Sequence, residues 1–153
     1  MTKGENINLY ATLTKLGKFA GVKFAYAVAK NISLLKPEYE ALVKAVEPSD
    51  DFKKFEIERV ELAKYYAKKN EAGEPISKDG KYELEDEKVF EFAFEALKET
   101  HKLAIDARHT QIKEQEELLK EESTVVLYKV KLEEVPKDIT AEQMSGLLEI
   151  IEE

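Results

Sequence analysis

The sequence predicts a mainly α-helical α+β fold, in which packed long helices are accompanied by a small β element and a C-terminal helix. Apolar residues recur at steps of three and four through most of the chain, which is the helical period. One segment near the C-terminus alternates apolar and charged residues as a strand does, and turn residues separate these stretches. The chain has 153 residues, the size of one ordinary domain, so we expect a single domain over 1–153.

Each element is bounded by recognisable residues. The predicted helices span about 6–18, 22–47, 52–70, 86–121 and 141–152, and the predicted strand spans about 125–132. Gly17 and Gly21 mark the end of the first helix. Pro37 should kink the second helix or begin another one, because proline lacks the amide donor. Pro48-Ser49-Asp50-Asp51 supplies a stop and N-cap candidates before the third helix, and Thr140-Ala-Glu-Gln143 is a capping-box pattern that opens the last one.

Turn chemistry dominates the middle of the chain. Gly73, Pro75 and the Asp79-Gly80 pair predict an exposed loop or small hairpin, and residues 82–84 are a short strand candidate leaving that turn. The long helix over 86–121 is rich in apolar residues only in its first half. Its second half has too few of them for a broad core face, so it should project or pair along a narrow seam.

The strand over 125–132 needs a hydrogen-bonding partner, because a single strand cannot satisfy its own backbone donors and acceptors. Within the chain, residues 82–84 are the evident candidate. Otherwise the strand presents an open edge to another chain. Alternation places one set of side chains on one face, namely Val126, Tyr128, Val130 and Leu132.

Composition excludes several classes of function. Without cysteine there is no disulfide framework, no thiolate zinc site and no cysteine nucleophile. The net charge of −8 opposes ordinary binding to nucleic acid, whose affinity comes from clustered Lys and Arg. No apolar stretch approaches the roughly 20 residues that span a bilayer, and the start lacks the pattern of a secretory signal. These observations predict a cytoplasmic protein without direct nucleic-acid or membrane binding.

The sequence carries no pattern typical of catalysis or of metal binding. His101 and His109 lie eight residues apart, about 12 Å along a helix, which is too far for one metal ion. Phosphate-binding, nucleophile-elbow, zincin and EF-hand motifs are missing from the sequence. We therefore expect no catalytic residue, metal or cofactor. The alternative is a small ligand-binding protein or enzyme with an aromatic-lined pocket, formed by Tyr65, Tyr66, Phe90, Phe92 and Phe94.

The strongest predicted interface combines the second half of the long helix with the strand that follows. A polar isolated helix is marginal in water, so a narrow apolar stripe there predicts a seam with another helix. The strand edge offers a second contact to a partner or to another copy. A seam inside the monomer, against 52–70, is the equal alternative. The predicted interface residues are Ala104, Ile112, Leu119, Val126, Tyr128 and Val130.

Four segments resemble a group of small accessory proteins of tailed bacteriophages and prophages of Gram-positive bacteria. The resembling segments read NLYATLTKL, GVKFAYAVAKNISLL, LAKYYAKKNEAGEPI and VKLEEVPKDITAEQMSGLLEIIEE. The resemblance implies no catalytic or binding residues. Residues 100–115 are longer than expected for the group, so the projecting half of the long helix is particular to this chain.

The resemblance implies a non-enzymatic protein that acts by binding other proteins or by self-association. Two roles fit it, namely virion assembly or structure, and inhibition of a host machine such as a defence complex. Either role predicts the cytoplasm of the infected bacterial host, or the virion, as its location.

Overall fold

A computed structural model describes residues 1–16 and 21–152 of the chain. It confirms the predicted class, because helices dominate and the strands are short. The helices are α1 (Lys3–Lys15), α2 (Val22–Ala45), α3 (Asp50–Tyr65), α4 (Glu87–Thr100), α5 (Lys102–Lys120) and α6 (Ala141–Ser145). The strands are β1 (Ser77–Lys78), β2 (Lys81–Tyr82), β3 (Val130–Lys131) and β4 (Ile151–Glu152). Across the described residues, no helix is both long and apolar enough to cross a membrane.

The chain folds into two compact units. The first unit combines Met1–Val46 with Glu114–Glu153, and the second unit is Glu47–Lys113. The single domain over 1–153 stays a prediction.

The first unit has an apolar core to which α1, α2 and the C-terminal segment all contribute. Burying a large apolar side chain stabilises a fold by about 1.5–3 kcal/mol, so this cluster is the main source of stability in the unit. Its buried members are Leu9, Leu13, Phe24, Ala27, Leu35, Val130, Val135, Leu147 and Ile150.

The structure decides two questions that the sequence left for the N-terminal helices. Helix α1 begins at Lys3 and not at residue 6, because Thr2 and Glu5 form a capping box that satisfies the first amides. The last predicted residues of this helix, 17 and 18, lie outside the described residues. Helix α2 runs through Pro37 without starting a second helix. Its buried face on both sides of Pro37 supports it, which outweighs one missing amide donor.

The second unit is built on aromatic packing between α3 and α4. Phe55 is buried and lies 6.4 Å, centroid to centroid, from Phe94, which stacks on Phe90 at 5.7 Å. Tyr66 meets the edge of Phe90 at 6.2 Å. The aromatic side chains thus fill the space between the two helices by packing on each other.

A hairpin follows α3, as the turn residues predict. Asp79 and Gly80 both have positive φ, 51° and 76°, and join antiparallel β1 and β2 as a type I′ turn does. The prediction that 82–84 pairs with the strand over 125–132 is wrong, because Tyr82 pairs with Ser77 and Leu84 with Ala67. Local pairing satisfies these backbone groups within the second unit.

The predicted helix over 86–121 is two helices, α4 and α5, separated at His101. The His101 backbone leaves helical geometry, with φ −104° and ψ 16°. Its side chain forms a hydrogen bond of 2.8 Å with the Glu58 carboxylate and lies 5.6 Å from the Phe55 ring. Neither proline nor glycine marks this break, so the sequence pattern did not indicate it.

The C-terminal elements are shorter than predicted. The strand over 125–132 is reduced to β3, which pairs in parallel with β4. The prediction of a terminal helix over 141–152 is wrong beyond Ser145. Leu147 and Ile150 are both fully buried, and a short 3-10 turn over Leu148–Ile150 leads into β4. Core burial of these two side chains and the pairing of β4 with β3 therefore stabilise the segment in place of helical hydrogen bonds.

Gly146 tests the packing of the C-terminal segment on α1. A Cβ atom at Gly146 would lie 2.6 Å from Cγ2 of Thr12, whose hydroxyl donates to the Asn8 carbonyl at 2.9 Å. We expect Gly146→Ala to lower the free energy of unfolding by about 1–3 kcal/mol, measured by urea denaturation, because the added methyl overpacks this contact. Thr12→Ser removes the opposing methyl, so the double variant should recover most of the loss. An equal loss in the single and double variants would contradict this account.

Candidate interaction surface

The segment 124–129 follows α5 in the first unit and forms part of its surface. Burial alternates along it, which is typical of extended backbone. Val125 and Leu127 pack against the core, whereas Val126 is 84% exposed and Tyr128 44% exposed. This segment therefore presents apolar side chains to solvent although the core lies directly behind it.

The Asn31 side chain holds Tyr128 in place. Asn31 is completely buried on α2, and its Nδ2 donates to the Tyr128 carbonyl at 2.8 Å. The Tyr128 amide donates to Oδ1 of Asn31, also at 2.8 Å. The side-chain amide thus satisfies both backbone groups of one residue, as a neighbouring strand would.

A second polar contact fixes the start of the segment. The carboxylate of Glu38, on α2, accepts hydrogen bonds from Ser123 Oγ at 2.9 Å and from Asn6 Nδ2 at 2.8 Å. Ser123 Oγ in turn accepts from the Val125 amide at 3.1 Å. These bonds join α1, α2 and the segment after α5, so its position is set at both ends.

The backbone between these anchors is unpaired. Within 1–16 and 21–152, the amide and carbonyl groups of Val126 and Leu127 have no hydrogen-bond partner. Successive residues of extended backbone direct these groups to opposite sides, so those of Leu127 point away from Asn31. The segment therefore presents free backbone donors and acceptors at Leu127, as the edge strand of a sheet does.

The exposed aromatic side chains extend the surface onto α2. Tyr26 meets the edge of Tyr128, with ring centroids 5.4 Å apart. Val22 lies one turn before Tyr26 and is 87% exposed. We call these four side chains, Val22, Tyr26, Val126 and Tyr128, the Tyr128 surface.

The two lysines beside the Tyr128 surface already form hydrogen bonds within the chain. Lys23 donates to the Glu134 carboxylate, and this hydrogen bond raises the pKa of Lys23. Lys129 donates to the Glu149 carbonyl. The Tyr128 surface is therefore apolar at its centre, with cations at its margin that have partners within the chain.

The other predicted interface residues are placed differently. Val130 is 3% exposed and its strand pairs with β4, so its prediction as part of an open edge is wrong. The backbone of Leu119 lies close to α1. If Gly4 carried a Cβ atom, that atom would be 3.1 Å from the carbonyl oxygen of Leu119. Ala104 and Ile112 belong to the second unit, where Ala104 is half-buried and Ile112 is 38% exposed. Of the six residues, Val126 and Tyr128 are brought together on one exposed surface.

Sequence reasoning missed Asn31, although a signal for it exists. Asn31 lies four residues after Ala27 and seven after Phe24, on the buried face of α2. A polar residue at a core position must find hydrogen-bond partners, so its place in the apolar stripe indicates a buried polar contact.

The histidine and aromatic residues that the sequence offered for metal or ligand binding do not come together in one site among the described residues. Among the described residues, no group of three or more His, Asp or Glu is arranged to hold a metal ion. His109 is exposed, whereas the His101 side chain, 11% exposed, pairs with Glu58. Phe92, from the predicted aromatic pocket, is 81% exposed and faces away from Phe90 and Phe94.

Comparison with protein-family models, with curated proteins and with solved structures finds no match.

The Asn31 contact predicts a specific loss of stability. Asn31→Ala leaves the Tyr128 amide and carbonyl unpaired, so we expect the free energy of unfolding to fall by about 2–4 kcal/mol in chemical denaturation. Asn31→Asp should also destabilise, because a carboxylate offers no donor to the carbonyl. Asn8→Ala, an exposed asparagine on α1, is the matched control and should change stability by less than about 0.5 kcal/mol. A fully stable Asn31→Asp variant would speak against the paired hydrogen bonds.

Proposed function

We propose that this chain is a non-enzymatic protein that binds another protein through the Tyr128 surface. The observation that carries the proposal is the unpaired edge at Leu127, beside the exposed side chains of Val126 and Tyr128. An extended peptide can add to such an edge by main-chain hydrogen bonds, while alternate side chains give specificity. The edge is short, so the side-chain contacts supply much of the affinity.

The chemistry of this surface favours a protein partner. Tyrosine offers a large apolar contact area together with a hydroxyl group, which suits protein interfaces. A nucleic acid would need a cluster of unpaired cations. Here Lys23 and Lys129 have partners within the chain, and the whole chain carries a net charge of −8.

The biological setting is part of the proposal and rests on the resemblance to phage accessory proteins. A small acidic binding protein of a phage serves either in virion assembly or structure, or as an inhibitor of a host defence complex. Both roles require a stable protein complex and neither requires catalysis. Mass spectrometry of purified virions separates them, since a structural component is retained in the particle and a host inhibitor is not.

Val126→Asp tests the surface itself. Affinity purification of the tagged chain from infected cells should recover a partner, and the variant should lose at least about tenfold of that binding, as a hot-spot residue does. Val43→Asp is the matched control, because Val43 is 50% exposed on α2 and lies outside the Tyr128 surface. Circular dichroism and thermal melting should show both variants folded.

Hydrogen exchange then tests how the partner binds. Strand addition should slow exchange of the Leu127 amide in the complex, because that amide gains an acceptor. A partner held equally well by Val126→Asp, or bound without protection at Leu127, would contradict the proposed mode.

A further inference from the structure

Helix α4 has a second apolar face that its own unit does not cover. Phe90, Phe94 and Leu97 face α3. On the opposite side, steps of three and four place Val89, Phe92 and Ala96 in a row. Val89 is 47% exposed and Phe92 81% exposed.

This row continues into α5. Leu103 follows Ala96 by seven residues and is 87% exposed. Glu95, Glu99 and Lys102 border one shallow hollow, and Glu99, Lys102 and Leu103 border the next. The two hollows share Glu99 and Lys102, which lie on either side of His101 in the sequence. We call Val89, Phe92, Ala96, Glu99 and Leu103 the α4–α5 strip.

We propose that a second copy of this chain docks on the α4–α5 strip in antiparallel orientation. Phe92 and Leu103 are eleven residues apart, and the amides of His101 and Ile105 keep helical hydrogen bonds across the break, so the two side chains are about three turns apart. An antiparallel pair with its two-fold axis midway between them brings Phe92 of each copy against Leu103 of the other. The two most exposed large apolar side chains of the second unit are then both covered, and each contact is made twice.

The charges beside the strip select this orientation. Glu95 and Lys102 are seven residues apart and border the same hollow, so they lie on one flank of the strip. Antiparallel docking sets Glu95 of each copy beside Lys102 of the other. Parallel docking about a two-fold axis would instead set this flank beside the opposite flank of the second copy, so that neither Glu95–Lys102 pair would form.

Pairs within one helix do not prevent this arrangement. Glu95 accepts from Lys98, and Lys102 donates to Asp106 at 2.9 Å. All four side chains are at least 39% exposed, so these pairs are weak and can be shared with a second copy.

Glu99 sets the strength of the dimer. It lies in the centre of the strip, close to the two-fold axis, where it would face Glu99 of the second copy. Like charges at that position oppose docking. One helix face is also a small interface for a permanent dimer, which usually buries about 2,000 Å² or more. The dimer is therefore reversible, and its population rises with protein concentration.

Sedimentation equilibrium of the full chain tests the proposal from about 10 µM to about 1 mM, a range that detects weak association. The wild type should dimerise within it. Phe92→Asp and Leu103→Asp should each weaken association at least about tenfold, whereas Glu99→Gln should tighten it roughly threefold. Ile57→Asp is the matched control, because Ile57 is 65% exposed on α3 and outside the strip.

Charge reversal tests the orientation. Glu95→Lys and Lys102→Glu should each weaken the dimer, and the double variant should restore it, because antiparallel docking then pairs the reversed charges. A monomer at every concentration overturns the proposal, as does weakening by Ile57→Asp equal to that by Phe92→Asp. Failure of the double variant to recover overturns the antiparallel orientation. Each of these results leaves binding at the Tyr128 surface untouched, since Val126 and Tyr128 belong to the first unit.

Discussion

The two hydrogen bonds between Asn31 and Tyr128 fix the path of the chain after α5. They place the segment 124–129 against α2, so that Leu127 packs on the core and Val130 reaches the strand pairing with Ile151. A buried amide without partners would cost about 1–3 kcal/mol per group, so these bonds specify one arrangement of the segment. The backbone groups of Leu127 point to the opposite side, where no partner is found within 1–16 and 21–152. The same contact that orders the segment therefore creates the Tyr128 surface.

The two units obtain their stability in different ways. The first unit buries apolar side chains from helices and strands in one cluster. The second unit has a smaller interior, in which Phe55 stacks with aromatic neighbours while Phe92 and Leu103 are left in solvent. Burying such a side chain would stabilise the fold by about 1.5–3 kcal/mol, and the second unit forgoes this gain at both positions. Exposed apolar side chains of this size are typical of interaction surfaces when they form one continuous patch.

Both proposed surfaces use geometry that a local pattern already contains. On α4 the helical period separates a face that meets α3 from the face that carries Phe92. On the segment 124–129 the strand period separates Leu127 from Val126 and Tyr128. In each case one set of side chains packs within the fold and the other set is exposed. The surfaces differ in chemistry, because a strand edge offers unpaired backbone groups and a helix face offers side chains alone.

How far the sequence predicted the fold depended on whether a local signal existed. The hairpin at Asp79-Gly80 and the start of α6 at Thr140 were predicted because turn and cap residues act on their nearest neighbours. The break at His101 was missed, since its side chain pairs with Glu58, 43 residues away in sequence. The candidate site was predicted in part. Alternation placed Val126 and Tyr128 on one face, whereas Phe92 was assigned to an aromatic-lined pocket.

The sequence by itself determined the class of the fold, because helical and strand periods, caps and turn residues are properties of short segments. It also placed Val126 and Tyr128 on one face of their segment, since side chains alternate along extended backbone wherever it packs. The tertiary structure decided which face of α4 is covered, and that 82–84 pairs locally and not with the segment near the C-terminus. It also decided that Asn31 supplies the backbone partner of Tyr128. These outcomes depend on contacts between residues far apart in sequence, which no local period encodes.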